Sequence, residues 1–130
     1  MNVENILELA DVLEAVPFYD ADSLEPVQFH MARYLKLTSE GVVACIAGYA
    51  VLLCTPAAEI TLDVESIHYR AARFLGIHGD VAENLFGSNL AHYGITFQDI
   101  TPAVAAKVLR TLATTGVVDW ALTLEKETSV

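Results

Sequence analysis

The stretch from Glu65 to Arg73 gathers Glu65, His68, Tyr69, Arg70 and Arg73, the densest set of polar reactive side chains in the chain. At helical pitch Glu65 shares a face with Tyr69 or Arg73, a surface about two turns long. The arginines bring the forked donors that carboxylates and phosphates recruit. Glu65, His68, Arg70 and Arg73 are therefore the candidate residues for a small-ligand or anion-binding site. The plainer alternative is the wet face of an amphipathic helix.

Other chemistry is thinly represented. His68, His78, Asp80, Glu83 and His92 offer metal-binding groups, but no pair has the i, i+4 histidine spacing or the CxxC spacing of a specific site, so no metal is expected. Cys45 is the one candidate nucleophile. Read as a mid-helix residue among apolar neighbours, its thiol would be hidden and its pKa raised, which is the profile of a structural cysteine. No GxGxxG, Walker loop, GxSxG or paired-carboxylate signature occurs. The expectation is a protein that is not an enzyme, with no catalytic residues and no cofactor.

Seventeen acids against seven bases give a net charge of −10, which repels nucleic-acid phosphate and argues against direct DNA or RNA binding. Glu4, Glu8, Asp11 and Glu14 fall on one face of an N-terminal helix, and Asp20, Asp22 and Glu25 continue the acidic surface. Carboxylates at helical pitch can meet a basic groove on a partner protein, with electrostatics setting the on-rate and the salt dependence. The same acids also serve a simply solvated face.

These residues need elements to hold them. Ile6, Leu9, Ala10 and Leu13 follow the i, i+3, i+4, i+7 rule and predict a helix over 5–16. Pro17 and "YDADSLEP" break it, and a second helix is expected from about Val27 to Leu37. Ser39 is the expected N-cap of a helix from Glu40 to Cys54, "EGVVACIAGYAVLLC", which carries no charge after its first residue and ends before Pro56. A buried strand is its rival, since Val42, Val43, Ile46 and Val51 favour sheets, but the run is long for a strand. Roughly 20 apolar residues span a membrane and this helix has about 14, so no membrane span is expected. On one helix Cys45 and Cys54 would stand about 13 Å apart, too far for a disulfide.

Asp63 caps a helix to about Leu75, stopped by Gly76; a short helix begins at Asp80 and closes at Gly87; Ser88 to Gln98 reads as loop. Thr101, Pro102 and Gly116 punctuate a last helix with Val104, Ala105, Val108, Leu109 and Leu112 as its buried stripe. The expected fold is all-α, a single domain over 1–124 of five to six helices around the central helix 40–54, with a frayed tail over 125–130. The acidic start "MNVENILELADVLEA" lacks a basic n-region and a continuous apolar core, so the expected location is cytoplasmic.

The phrases "FHMARYL", "GVVACIAGYA", "AARFLGI", "AENLF" and "ITPAVAAKVLRTLATTGVVDW", in that order from Phe29 to Trp120, resemble a group of small helical phage and prophage proteins of uncharacterised function. That group looks like "F-x-M-x-x-W", then "C-G-T-x-A-C-I-A-G-W-A", "A-x-x-L-G-L", "A-x-x-L-F" and "T-P-x-x-A-x-x-x-L". Glu40 stands here in place of the group's first cysteine, and Val42 in place of its threonine. The resemblance implies a helical fold and a mobile-element origin, and carries over no site residue.

The leading functional expectation is a non-enzymatic, acidic interaction module, a phage-encoded modulator or inhibitor that docks on a basic host protein surface. The alternatives are the anion-binding domain around His68, Arg70 and Arg73, and an enzyme without a readable motif. A homodimer is compatible with each.

Overall fold

A computed structural model describes residues 1–20, 22–23, 25–31, 35–38, 41–56, 59–60, 63–87, 94–120 and 123. Along them run α1 (Val3–Ala15), β1 (Val27–Phe29), β2 (Leu35–Thr38), β3 (Gly41–Ala44), α2 (Ile46–Cys54), α3 (Val64–Leu75), α4 (Gly79–Leu85), a 3-10 turn at Phe97–Asp99, and α5 (Pro102–Thr115).

The all-α expectation is overturned by a three-stranded mixed sheet. Its order is β1-β3-β2, with β3 parallel to β1 (Val27 opposite Val42, Phe29 opposite Ala44) and antiparallel to β2 (Leu35 opposite Ala44, Thr38 opposite Gly41). Within the helix expected over 27–37, residues 27–29 and 35–37 are instead strand. Within the helix expected over 40–54, residues 41–44 are the central strand and α2 begins only at Ile46. The valines Val42 and Val43 favour pleated backbone, and the chain turns from strand to helix at the extended Cys45, so a strand and a helix together account for a run too long for a strand alone.

Beyond β1 the chain adds a short extension of the sheet. Phe18 bridges to Phe29 in parallel, the Tyr19 amide donates to the Phe29 carbonyl at 2.9 Å, and the Phe29 amide donates to the Pro17 carbonyl at 2.9 Å. The buried Gln28 side chain then holds the following loop, accepting from the Asp20 amide at 2.8 Å and donating to the Glu25 carbonyl at 2.9 Å.

The ends of α3 and α5 fall where their residues predict, while α1 begins at Val3 rather than Asn5. Asn2 caps α1 by accepting from the Asn5 amide, Asp63 caps α3 by accepting from the Ser66 amide, and Thr101 caps α5 by accepting from the Val104 amide. Gly76 and Gly116 close α3 and α5 in the left-handed conformation. At Gly76 a Cβ would stand 2.7 Å from the Asn2 nitrogen, so glycine also lets the start of α1 approach. That junction is sealed by Asn2 N–H to the Leu75 carbonyl at 2.9 Å and by the Asn5 side chain to the Phe74 carbonyl at 2.8 Å.

Ile6, Leu9 and Leu13 of α1, Val108, Leu109 and Leu112 of α5, Ile67, Ala71 and Leu75 of α3, and Ile46 to Val51 of α2 merge into one buried cluster with Phe29. In it α1 packs against α5 and α2 against α3. Trp120 folds back onto this core, its indole N–H donating to the Asn84 carbonyl at 2.7 Å. The expected cap Ser39, Glu40, residues 88–93 of the loop expected over 88–98 and the expected frayed tail over 125–130 lie outside the described residues, while the end of that loop enters the 3-10 turn at Phe97–Asp99. Among the described residues no helix is long and apolar enough to cross a membrane.

Candidate anion-binding groove

Helix α3 has two faces. Ile67, Ala71 and Leu75 sink into the core, which leaves Ser66, Tyr69, Arg70, Arg73 and Phe74 on the outer side at the i, i+3, i+4, i+7, i+8 positions. The C-terminal end of α2 lies alongside, and Cys54 and Thr55 complete an open groove of about 540 Å³ with those five residues. Extended backbone at Thr55, followed by Pro56, ends α2 there and leaves its side of the groove as a short wall.

Arg70 donates from Nη1 to the Thr55 hydroxyl at 3.5 Å, and Arg73 donates from Nη1 to the Tyr69 phenol at 3.4 Å. Both bonds are long and go to neutral oxygens, so the greater part of each five-donor fork is left for a further acceptor. Among the described residues, no carboxylate pairs with either arginine and none lines the groove. Ser66 donates its hydroxyl proton to Asp63 at 3.2 Å, and its oxygen lone pairs remain available to a donor. Cys54 is exposed, with its sulfur 3.4 Å from the Thr55 hydroxyl and 3.6 Å from the Val51 carbonyl.

Of the four ligand candidates read from sequence, the structure brings Arg70 and Arg73 together and leaves the other two outside the groove. Glu65 is exposed beyond its lining. His68 turns instead toward α4, its ring 5.0 Å from that of Phe86. Burial lowers the His68 pKa, against an opposing pull from the Glu83 charge. Cys54, Thr55, Ser66 and Phe74 were not among the candidates. The spacing of Ser66, Arg70 and Arg73 was visible in the sequence, whereas Cys54 and Thr55 needed the end of α2 to be located.

Cys45 is not a mid-helix residue: it is the N-cap of α2, at the junction with β3. Its side chain is 1 % exposed and free of any disulfide. Burial pushes the thiol up to about 11, outweighing the opposing pull of the backbone N–H groups of Gly48 and Ala47. Among the described residues no group of His, Cys, Asp and Glu is placed to hold a metal ion; His92 lies outside them.

The acidic stripe is divided. Glu4 and Glu8 are exposed on α1, but Asp11 and Glu14 hold Arg110 of α5, at 3.0 Å and at 3.2 and 2.7 Å. In the loop before β1, Asp20 accepts from the Asp22 amide at 3.0 Å and so shapes its own turn, while Asp22 and Glu25 face solvent. Comparison with protein-family models, curated proteins and solved structures gives no match.

Proposed function

We propose that the protein binds a small anionic ligand in the groove between α2 and α3, through Arg70 and Arg73. One observation carries this reading: two arginines share a wall that holds no carboxylate among its described residues, in a chain of net charge −10. Arg110, by contrast, engages two acids. Among the described residues, Arg70 and Arg73 meet only the hydroxyls of Thr55 and Tyr69. A fork in that situation has charge and donors to give to an incoming oxyanion, and forked donors one helical turn apart suit a tetrahedral or carboxylate anion.

The surrounding negative charge makes the groove a local exception in the field, so binding should be sensitive to ionic strength, as expected for charges open to solvent. The free thiols of Cys45 and Cys54 fit a reducing compartment such as the cytoplasm. Docking of the acidic face on a basic host surface has less behind it, because Asp11 and Glu14 already serve α5.

Calorimetric titration with inorganic phosphate, at low and at high chloride, tests the proposal. The natural chain binds at low chloride and weakens as chloride rises. Arg70→Gln and Arg73→Gln each reduce affinity by about tenfold, the scale of one lost charge-assisted hydrogen bond. Equal binding by the natural chain and the double variant would refute the proposal.

A further inference from the structure

We infer that the ligand is a phosphate monoester carried on a flat ring, in chemical type a nucleoside monophosphate; this rests on the anion-binding reading of the groove. Three features of the lining bear on it. A space of about 540 Å³ lies within the range of pockets that hold drug-sized molecules, and is far larger than a bare oxyanion needs.

The second feature is aromatic. Tyr69 is 65 % exposed, the highest value among the large hydrophobic side chains described, and it stands on the same wall as the two guanidiniums. Arg73 holds its phenol oxygen at 3.4 Å, which steadies a ring left open to the groove. Phe74, half-buried, adds a second aromatic surface to the lining. An exposed aromatic face beside arginine is what a nucleobase stacks on, with little regard for which base it is.

The third feature is charge. A phosphate monoester carries close to two negative charges at neutral pH, which two guanidiniums match. A nucleoside triphosphate would arrive with Mg²⁺ and ask for a carboxylate to share the ion, and no carboxylate lines the groove among the described residues. The Ser66 oxygen, its proton given to Asp63, offers an acceptor for a sugar hydroxyl or a ring amine.

The experiment titrates the natural protein, Tyr69→Ala and the Arg70→Gln/Arg73→Gln double variant with adenosine 5′-monophosphate, adenosine and inorganic phosphate in turn. On the natural protein the monophosphate binds about tenfold more tightly than phosphate or adenosine, the gain expected of one stacked base. In Tyr69→Ala the preference is lost, so that the monophosphate binds no more tightly than phosphate does to that same variant, while the double variant loses both. Tyr69 projects into solvent, so its removal leaves the fold intact. Phosphate bound through the arginines, with the monophosphate no tighter, overturns this inference and leaves anion binding standing. Failure of all three probes to bind overturns both.

Discussion

Arg110 on α5 grips Glu14 on α1 with both terminal nitrogens, at 3.2 and 2.7 Å, and the nearer nitrogen also reaches Asp11 at 3.0 Å. These two helices pack face to face through the core, and the ion pairs stitch their outer edges. Half of the α1 acidic stripe thus has an internal structural task. The hydrogen bond from Arg110, and then its charge, hold the Glu14 carboxyl below the usual carboxylate range.

A lowered folded-state pKa means that the unfolded chain takes up the proton first as the pH drops. The contribution of Glu14 is therefore present at neutral pH and is lost as the pH falls below about 4. Arg110→Gln should lower the melting temperature slightly at neutral pH and low salt, because the pair is solvent-exposed, and should make no difference in strong acid or high salt. Thermal unfolding across a pH and salt grid checks this. A large loss that persists in acid would place the role of Arg110 elsewhere.

The thiols are predicted to behave differently. Cys54 should react with iodoacetamide quickly under native conditions, and Cys45 only when the chain opens. Because burial raises the Cys45 pKa, the fold favours its protonated form, and that contribution is present below the ordinary thiol range of about 8.5 and lost as the pH rises toward about 11. Mass spectrometry of briefly labelled protein at pH 8 should find one modified cysteine, Cys54. Rapid double labelling would contradict the buried N-cap.

These features were unevenly legible in the sequence. Helices with a strong stripe and marked ends, such as α1, α3 and α5, could be read directly, because Ile6, Leu9 and Leu13 or Thr101, Pro102 and Gly116 act locally. The sheet could not. Val27–Phe29 and Gly41–Ala44 are too short to show a period, and their pairing brings together residues distant in the chain, so "EGVVACIAGYAVLLC" read as one helix. Placing Cys45 inside that helix then followed from the same misreading. The groove was half legible: Arg70 and Arg73 stood out by charge, but the wall opposite them depends on where α2 stops.

Gly41 marks the start of the central strand with φ at +146°, and a Cβ there would lie 1.9 Å from the Pro26 carbonyl oxygen. That oxygen accepts from the Val42 amide at 2.7 Å, so it cannot retreat without breaking a sheet bond. Gly41→Ala should cost about 3 kcal/mol, from backbone strain and overpacking together. Urea denaturation measures this. A change under about 0.5 kcal/mol, the scale of an ordinary surface substitution, would mean that β1 and β3 do not meet as described.

Tyr49 on α2 donates its phenol proton to the backbone carbonyl of Gln28, tying the first helix after the sheet to β1 from inside the core. Burial raises its pKa, so the phenol stays protonated in the folded protein. Tyr49→Phe keeps the packing and removes the bond, and should destabilise by about 1–2 kcal/mol without altering phosphate binding. Loss of binding in that variant would imply that the groove depends on the sheet side of α2.

The most direct test of anion binding is an amide chemical-shift titration with inorganic phosphate at low chloride. Saturable shifts should centre on Ser66 to Phe74 and on Cys54 and Thr55, and disappear in the Arg70→Gln/Arg73→Gln variant. Shifts centred elsewhere, or none at concentrations that saturate an ordinary phosphate site, would contradict the assignment of this groove.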